Sequence, residues 1–546
     1  MTAAAALGWL KKSTLWTYRT LVWAMVAAIF VAGAVVLGLR YWVLPNIDDF
    51  RDDIARAVSD ASRQHISIGK ISGNWDGLRP RLVLENVVVY DHADRPALEL
   101  TRVDSTLSWR SLAIMRVSFH ALDIYNPMLD VRRDAQGGVW VAGIAVDASA
   151  SSESGGFAEW LLDQPEIGIH DAALRWTDEL RGAPPLSLKH VNLQLVNRGR
   201  RHRFGLQAEA PSEIARGLDI RGDLRGRSLA ALSEWNGRVF VQLDYIDIAA
   251  WRTWVPFPVE FPRGSGALRT WLTFDRDELT QAIADVTLAD VRTRLREDLP
   301  ELELQALNGR FGWKALQHGY EISTTKLSLS SAQRGIALRP ADATLRVTND
   351  SGGNAVAGEL QANALDLAPL VMLADRLPVD ESLRKAAAAL EPSGTLHDLS
   401  LRWKGAWPEL QSYSARTRFA DLAFRHWEHV PGIAGVSGTI EATEKSGTLI
   451  VSGERASLNL PEVFREVIHF DTASGHVAWS RTRDALELRF ANVVLANADF
   501  AGTVAGPYHR RERASDEMDF TGSVTRADAR ATSRYLPVKL LKEERP

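Results

Sequence analysis

The chain contains no cysteine. That removes disulfide frameworks, thiolate nucleophiles, Cys-ligated zinc and iron–sulfur clusters together. It leaves the compartment open, since a cysteine-free chain suits reducing and oxidising spaces alike. An excess of one charge is also missing: 64 Lys and Arg against 68 Asp and Glu leave a net charge of −4. The chain as a whole therefore offers no electrostatic case for nucleic acid. Phosphate-cradling glycine loops, H-E-x-x-H and G-x-S-x-G are absent as well, so none of the common spacings for nucleotide binding, zinc hydrolysis or a nucleophile elbow is available. Of 13 histidines, only His426 and His429 stand at a ligand-like i, i+3 spacing, with no further ligand near them in sequence. A solvated turn is the plain reading. No catalytic residue, metal or cofactor is expected, and the chain reads as a non-enzyme.

What is present begins with one long apolar run. Residues 21–39, from Leu21 to Leu39, carry no charge and are bracketed by Arg19 and Arg40. Nineteen residues make a helix of roughly 28 Å, about the thickness of a bilayer core. Trp16, Tyr18 and Trp23 at one end, and Tyr41 and Trp42 at the other, fit interfacial aromatic belts. A cleaved signal would have a shorter core with its small-residue site beyond it, whereas Ala32 and Ala34 lie inside the run. The run is read as an uncleaved anchor. Lys11, Lys12 and Arg19 precede it and Asp48, Asp49, Asp52 and Asp53 follow, which puts residues 1–20 in the cytoplasm and the rest across the membrane.

Residues 40–64 form a juxtamembrane segment in which Ile47, Phe50, Ile54, Val58 and Ala61 recur every three or four positions. That spacing predicts an amphipathic helix capping the folded body. From 65 the period becomes alternating, and it stays so to the end. Residues 65–146 form a first β-repeat region, 147–156 (DASASSESGG) a linker, and 157–546 further β-repeats with short helices at 157–165 and 381–392. No βαβ succession occurs, which excludes a doubly wound parallel sheet.

The β-region repeats itself. Pro-x-Leu-x-Leu-x-x-(Val/Leu) occurs four times, led by Pro80, Pro96, Pro184 and Pro300. Its apolar positions are Leu82, Leu84 and Val87; Leu98, Leu100 and Val103, extended by Leu107; Leu186, Leu188 and Val191; and Leu302, Leu304 and Leu307. Proline cannot donate to a ladder and suits a strand start, while Leu-x-Leu puts two side chains on one face. The two-residue gap would flip the apolar set to the other face unless a β-bulge bends the strand there. Asp247, Asp366 and Asp528 each open a short helical piece ended by Pro256, Pro378 and Pro537. The expected fold is mainly β: a transmembrane helix followed by an elongated repeating β-groove of bent antiparallel strands with short helices. At about 13 residues per strand and turn, about 37 strands are expected. The basic cluster at 198–204 reads as a solvated strand end, with anionic headgroups or phosphate as the alternative.

Residues 66–91, 95–112 and 157–206, together with the anchor, resemble the AsmA-like family of Gram-negative envelope proteins, in its long YhdP-type branch. Chains of that branch run well beyond this length, so the resemblance covers their N-terminal part. It implies a single-pass inner-membrane protein with its bulk in the periplasm. Its apolar β-groove would carry phospholipids towards the outer membrane, with outer-membrane or other envelope proteins as further partners and no catalytic residues. The leucine phrases above are then the candidate groove lining, on a face open along its length. The alternative is a scaffolding or regulatory factor in outer-membrane assembly, with that face closed by protein.

Overall fold

The computed structural model describes residues 3–77, 79–90, 94–109, 119–145, 160–257, 259–331, 335–406, 409–428, 430–511 and 517–535, with side chains from residue 16 onwards except at 76, 229, 230, 232 and 533. The linker 147–156, Pro537 and His429 lie outside the described residues. The chain divides into two units, one of Met1–Ser212 with Gly217–Val239, the other of Glu213–Arg216 with Phe240–Pro546.

The first unit opens with α1 (Ala3–Gly38), which continues through a π-helical turn at Leu39–Val43. The stretch Trp16–Val43 is long and apolar enough to cross a membrane, and its most apolar window packs against no other part of the chain. A 3₁₀ turn at Ile47–Phe50 leads into α2 (Arg51–Ser62). The predicted juxtamembrane helix is thus present, starting later because Pro45 and Asn46 interrupt it. Then come β1 (Ile66–Asp76), β2 (Arg79–Tyr90), β3 (Pro96–Leu107), β4 (Phe119–Tyr125), β5 (Met128–Arg133), β6 (Val139–Val141), β7 (Ile144–Ala145), β8 (Glu166–Asp178), β9 (Ala183–Arg198) and β10 (Arg201–Glu209). After β11 (Ala215–Arg216), which belongs to the second unit, β12 (Leu218–Arg225) completes the first. Neighbours pair antiparallel, except that β4 and β5 run parallel to β8. Asn126, with φ +53°, and Pro127 divide what is one bent strand into β4 and β5.

In the second unit, the later part of β13 (Asn236–Asp247) and α3 (Ile248–Trp251) precede β14 (Glu260–Asp275), β15 (Glu278–Arg294), β16 (Leu302–Leu316), β17 (Gly319–Ser331), β18 (Ile336–Asn349) and β19 (Ala355–Asp366). The helices α4 (Leu367–Leu373) and α5 (Glu381–Leu390) intervene. β20 (Ser393–Lys404), β21 (Ser412–Phe424), β22 (Gly432–Thr443), β23 (Ser446–Asn459), β24 (Ile468–Arg481), β25 (Ala485–Ala496), β26 (Phe500–Arg511), β27 (Glu517–Met518) and β28 (Thr521–Ala527) follow. From β14 to β26 each strand pairs antiparallel with the next in sequence. The described strands number 28, fewer than expected, because most in this unit are 12–17 residues long. Asp247 and Asp528 cap their helical pieces by accepting from Ala250 N and Arg530 N. Asp366 opens α4 without a side-chain cap bond and binds Arg339 and Thr395 instead.

The strands bend by one rule. Asn86, Asp171, His190, Asp290, Lys326, Asp398, Asp421, Gly435, Arg455 and Asn492 all have left-handed backbone within strands. Each is the second residue of an x-x gap between two positions of one face, as in Leu84-x-x-Val87, Leu188-x-x-Val191, Leu396-x-x-Leu399 and Phe490-x-x-Val493. A left-handed residue turns the strand so that the phase changes while the same face stays apolar: Leu82, Leu84, Val87 and Val89 are all buried together. At three of these bends the amide displaced from the ladder finds a side chain on the next strand. Asn192 Oδ1 accepts from Asp171 N at 3.1 Å, Asp342 Oδ1 from Lys326 N at 2.7 Å, and Ser437 Oγ from Asp421 N at 3.0 Å.

This corrects the bulge expectation in part. Pro96 is the first residue of its strand, Pro80 and Pro184 the second, and Pro300 precedes its strand by two. A register shift falls at the gap in β9. In β2 and β3 the pairs Leu84–Val103 and Val87–Leu100 stay in step across the gap, so no extra residue is inserted. There the left-handed turn at Asn86 bends neighbouring strands together, helped by Gly69, where a Cβ would meet the Asn86 Cβ at 2.9 Å. β16 keeps register with β15, which carries the turn at Asp290.

Candidate functional site

Period-2 alternation separates two faces in each unit. In the first, Ile71, Leu84, Val103, Ile124, Ile169, Leu193, Leu206 and Ile220 pair successively from β1 to β12. The first three are buried and the remaining five half-buried. The difference has a cause. Leu44, Ile47 and Val58, from the segment between the anchor and β1, join Ile66, Ile68, Ile71, Leu82, Leu84, Val87, Val89, Leu100 and Val103 in one core cluster, with Phe119 and Leu122. Polar ties fix the cover: Asp48 Oδ1 accepts from Ile71 N at 2.9 Å, and Ser59 Oγ from Ile66 N at 3.0 Å. Over β1–β3 the apolar face is therefore closed by the chain itself, and the expectation of a face open along its length fails there.

In the second unit one row runs unbroken through thirteen strands, β14 to β26: Leu272, Ala282, Trp313, Ile322, Leu345, Leu360, Leu401, Ala415, Ala442, Gly447, Trp479, Leu488 and Tyr508. Ile322 is exposed and the other twelve are half-buried; none is sealed. In a closed sandwich the mid-strand positions of the inner face would be buried. Twelve inter-strand steps make the row about 58 Å long. Two aromatics of this face lie flat, Trp479 in the row and Trp403 two residues along β20 from Leu401: a Cβ on Gly358 would meet the Trp403 ring at 2.1 Å, and one on Gly447 the Trp479 ring at 2.0 Å. Glycine at these positions leaves the ring room against the sheet instead of standing up from it.

The opposite face of the same strands is charged. Arg310 binds Asp285, and Arg346 lies 2.6 Å from Glu321 and 3.8 Å from Glu359, which in turn meets Arg402 at 2.9 Å. The Arg310 guanidinium holds Asp285 below the usual carboxylate range. Glu359 is lowered by hydrogen bonds from Gln361 and Arg402. Such exposed pairs add little stability each, but they define which side faces water.

The sequence-predicted residues distribute as follows. Leu82, Leu84, Val87, Leu100 and Val103 sit in the sealed cluster, with Leu98 and Leu107 packed at its edge. Leu186, Leu188 and Val191 meet Trp176, Leu174 and Ala172 across β8–β9; Leu188 is half-buried. Leu304 pairs with Val291, and Leu307 with Leu288 and Leu329 on the apolar face of the second unit. Leu302 and Leu304 are buried and Leu307 half-buried, beside a margin that Arg376, just after α4, ties down through the Glu301 carbonyl. The proline motif thus found the best-covered part of the apolar face. It missed the open row, of whose strands only β16 has a motif led by proline, while β20, β21, β22 and β25 carry the same gap without one. The usable signal was an apolar pair, a gap whose second residue tolerates left-handed backbone, and another apolar pair.

The basic cluster at 198–204 is a hairpin of β9 and β10. Arg201 pairs with Asp223, and His202 turns inward, 4% exposed, with its ring stacked 5.0 Å from Trp235 and Nδ1 2.8 Å from Asn197 Oδ1. Burial holds the His202 imidazole below its ordinary pKa. Among the described residues no group of three or more side chains converges as a metal would need, and His426 Nδ1 lies 2.9 Å from the Val430 carbonyl.

A family model described as YhdP protein matches residues 1–545. The curated protein "Intermembrane phospholipid transporter YhdP" of Escherichia coli (strain K12) is similar, with 23% identity over 544 residues, covering 94% of this chain and 40% of that protein. This chain spans two fifths of the length of the curated relative it matches. No solved structure matches.

Proposed function

Because the chain belongs to the YhdP family, we propose that it holds phospholipid acyl chains on its apolar sheet face and passes them along it between membranes. α1 is the inner-membrane anchor, with the short N-terminus in the cytoplasm and the sheets in the periplasm, as the basic residues before the helix favour. The observation that carries the reading is the row from Leu272 to Tyr508, apolar in all thirteen strands and sealed in none. Burying acyl carbon there is favourable by roughly 0.8 kcal/mol per CH₂. Contact of that kind is non-directional, so a chain slides from one strand to the next without a favoured stop. Movement is towards the outer membrane. The mechanism is binding and conduction, not bond-breaking chemistry.

The test is photo-crosslinking in cells at Leu360, Leu401 and Leu488, followed by lipid mass spectrometry of the adducts. Phospholipid captured at all three is the expected result. Capture of protein segments alone would mean that a partner covers the face, which is the scaffolding reading.

A further inference from the structure

Along one margin of the apolar row, at β24–β26, the character of the same face changes. Two residues beyond Trp479, Leu488 and Tyr508, with no register shift between, the paired positions are Arg481, Leu486 and Arg510. Two guanidinium groups therefore flank a leucine on the apolar side of β24–β26, where every other row is neutral or apolar. The residues line a concavity of about 760 Å³ that also takes in Trp479, Tyr413, Arg483 and Arg511. Its four arginines stand against Glu444 and Asp484 in the lining and Glu517, 3.6 Å from Arg511, which leaves +1 locally in a chain of net charge −4. Among the described residues Arg481, Arg483 and Arg510 have no ion-pair partner. The arginines of the charged face, Arg310, Arg346 and Arg402, are all paired. Unpaired cations at the edge of an apolar surface, beside a Trp and a Tyr, reproduce the arrangement that seats an amphiphile at a membrane interface.

We propose that this rim is the headgroup seat of the groove: Arg481 and Arg510 bind the phosphodiester of a phospholipid whose acyl chains lie along β21–β26. This deepens the lipid-carriage reading and rests on it. The planar guanidinium donates two parallel N–H bonds to phosphate oxygens. Leu486 between the two arginines, with Trp479 beside them, takes the glycerol and the first methylenes. A lipid seated there is then held by its charge as well as by its tails, so the groove favours phosphate-bearing lipids over neutral ones at that rim.

The experiment uses the full chain in detergent, with a photo-crosslinking residue at Leu486 and, in a separate sample, at Leu401 as the reference. The probes are phosphatidylglycerol, diacylglycerol of the same acyl composition, and inorganic phosphate as competitor. The expected result is capture of phosphatidylglycerol at Leu486 that falls about tenfold or more in the R481Q/R510Q double variant. Diacylglycerol capture and all capture at Leu401 stay unchanged. R489Q, on the charged face beside Glu487, is the control for charge loss alone. Equal capture of both lipids at Leu486, unaffected by R481Q/R510Q while Leu401 still captures, overturns the headgroup seat and leaves lipid carriage standing. Millimolar phosphate displacing phosphatidylglycerol from Leu486 overturns the lipid as occupant in favour of a free anion. No lipid at either position overturns both readings.

Discussion

Asp171 and His190, the residues that bend β8 and β9, touch each other: His190 Nδ1 lies 2.6 Å from Asp171 Oδ1, and both have left-handed backbone. The bends of adjacent strands are thus tied by a side-chain bond where the ladder itself is interrupted. Similar ties recur wherever a displaced amide meets an Asn, Asp or Ser of the next strand. At β8–β9, β17–β18 and β21–β22 bending is therefore a property of the strand pair, fastened by its own side-chain bond.

The hydrogen bond to Asp171 raises the His190 pKa, with the charge of Asp171 adding to it. A raised value means the folded state prefers the imidazolium. The tie is fully made below the ordinary imidazole range, near 6.5, and fades as pH rises through the raised folded value. Titration of the His190 ring by NMR should show a midpoint above that of an exposed histidine, and D171N should bring it down. Both groups face water, so global stability should move little. Identical titrations in the two proteins would rule the tie out.

Asp104 supports a second prediction. Its carboxylate is 1% exposed beneath Arg81 and Arg102, and Arg102 stacks 5.4 Å from the Tyr125 ring. Burial pushes this carboxyl up, but the hydrogen bonds from Arg102 and Arg81 outweigh it and the net direction is down. The stabilisation is present above the ordinary carboxylate range and lost as pH falls through the lowered value. D104A should cost about 2–3 kcal/mol in chemical denaturation, at the low end for a broken buried pair because both arginines keep a side in water. A loss below about 0.5 kcal/mol would place Asp104 among ordinary surface pairs.

The bend rule is testable at Asn86 and Asn492. Glycine accepts φ near +55° without penalty, whereas a β-branched residue does not. N86G and N492G should be near neutral in thermal unfolding, and N86V and N492V should each cost about 1–2 kcal/mol. Equal melting of the Gly and Val variants would mean that the strand does not need a left-handed residue there.

Much of this architecture was legible in the sequence, and the part that was not has a physical reason. The anchor, the change from helical to alternating period and the x-x gap all act over a few residues, so the pattern shows them directly. The proline at Pro80, Pro96, Pro184 and Pro300 drew attention to a strand start, which is incidental to the bend. The left-handed residue in the gap, Asn86 and His190 in two of these strands and Asp421 in a strand without the proline, is the part that turns the chain. Whether an apolar face is covered depends on contacts between distant segments. Nothing local in Leu84 or Leu360 says that Ile47 and Val58 close over the cluster holding the first while the second lies in a row left half-open. The Arg481–Leu486–Arg510 row is invisible for the same reason, since it exists only once the register of three strands is known.

That difference in cover makes the final prediction. On sequence alone, with the leucine phrases on an open face, a charge at Leu100 would be expected to block lipid passage more than it unfolds the protein. In the structure Leu100 is 6% exposed and belongs to the sealed cluster beneath the juxtamembrane segment. An aspartate there has no water and no partner, and such burial costs several kcal/mol. L84D and L100D should therefore unfold the first unit, seen as lost protease resistance and a lower melting temperature. Leu360 and Leu401 are directly paired in the half-open row of the second unit. L360D and L401D admit water to the new charge and should melt within a few degrees of the parent. They interrupt the apolar track, so lipid recovered with the purified chain should fall for these two while the fold persists. If L360D and L401D unfold as readily as L84D, the row is a core after all and the conduction mechanism fails.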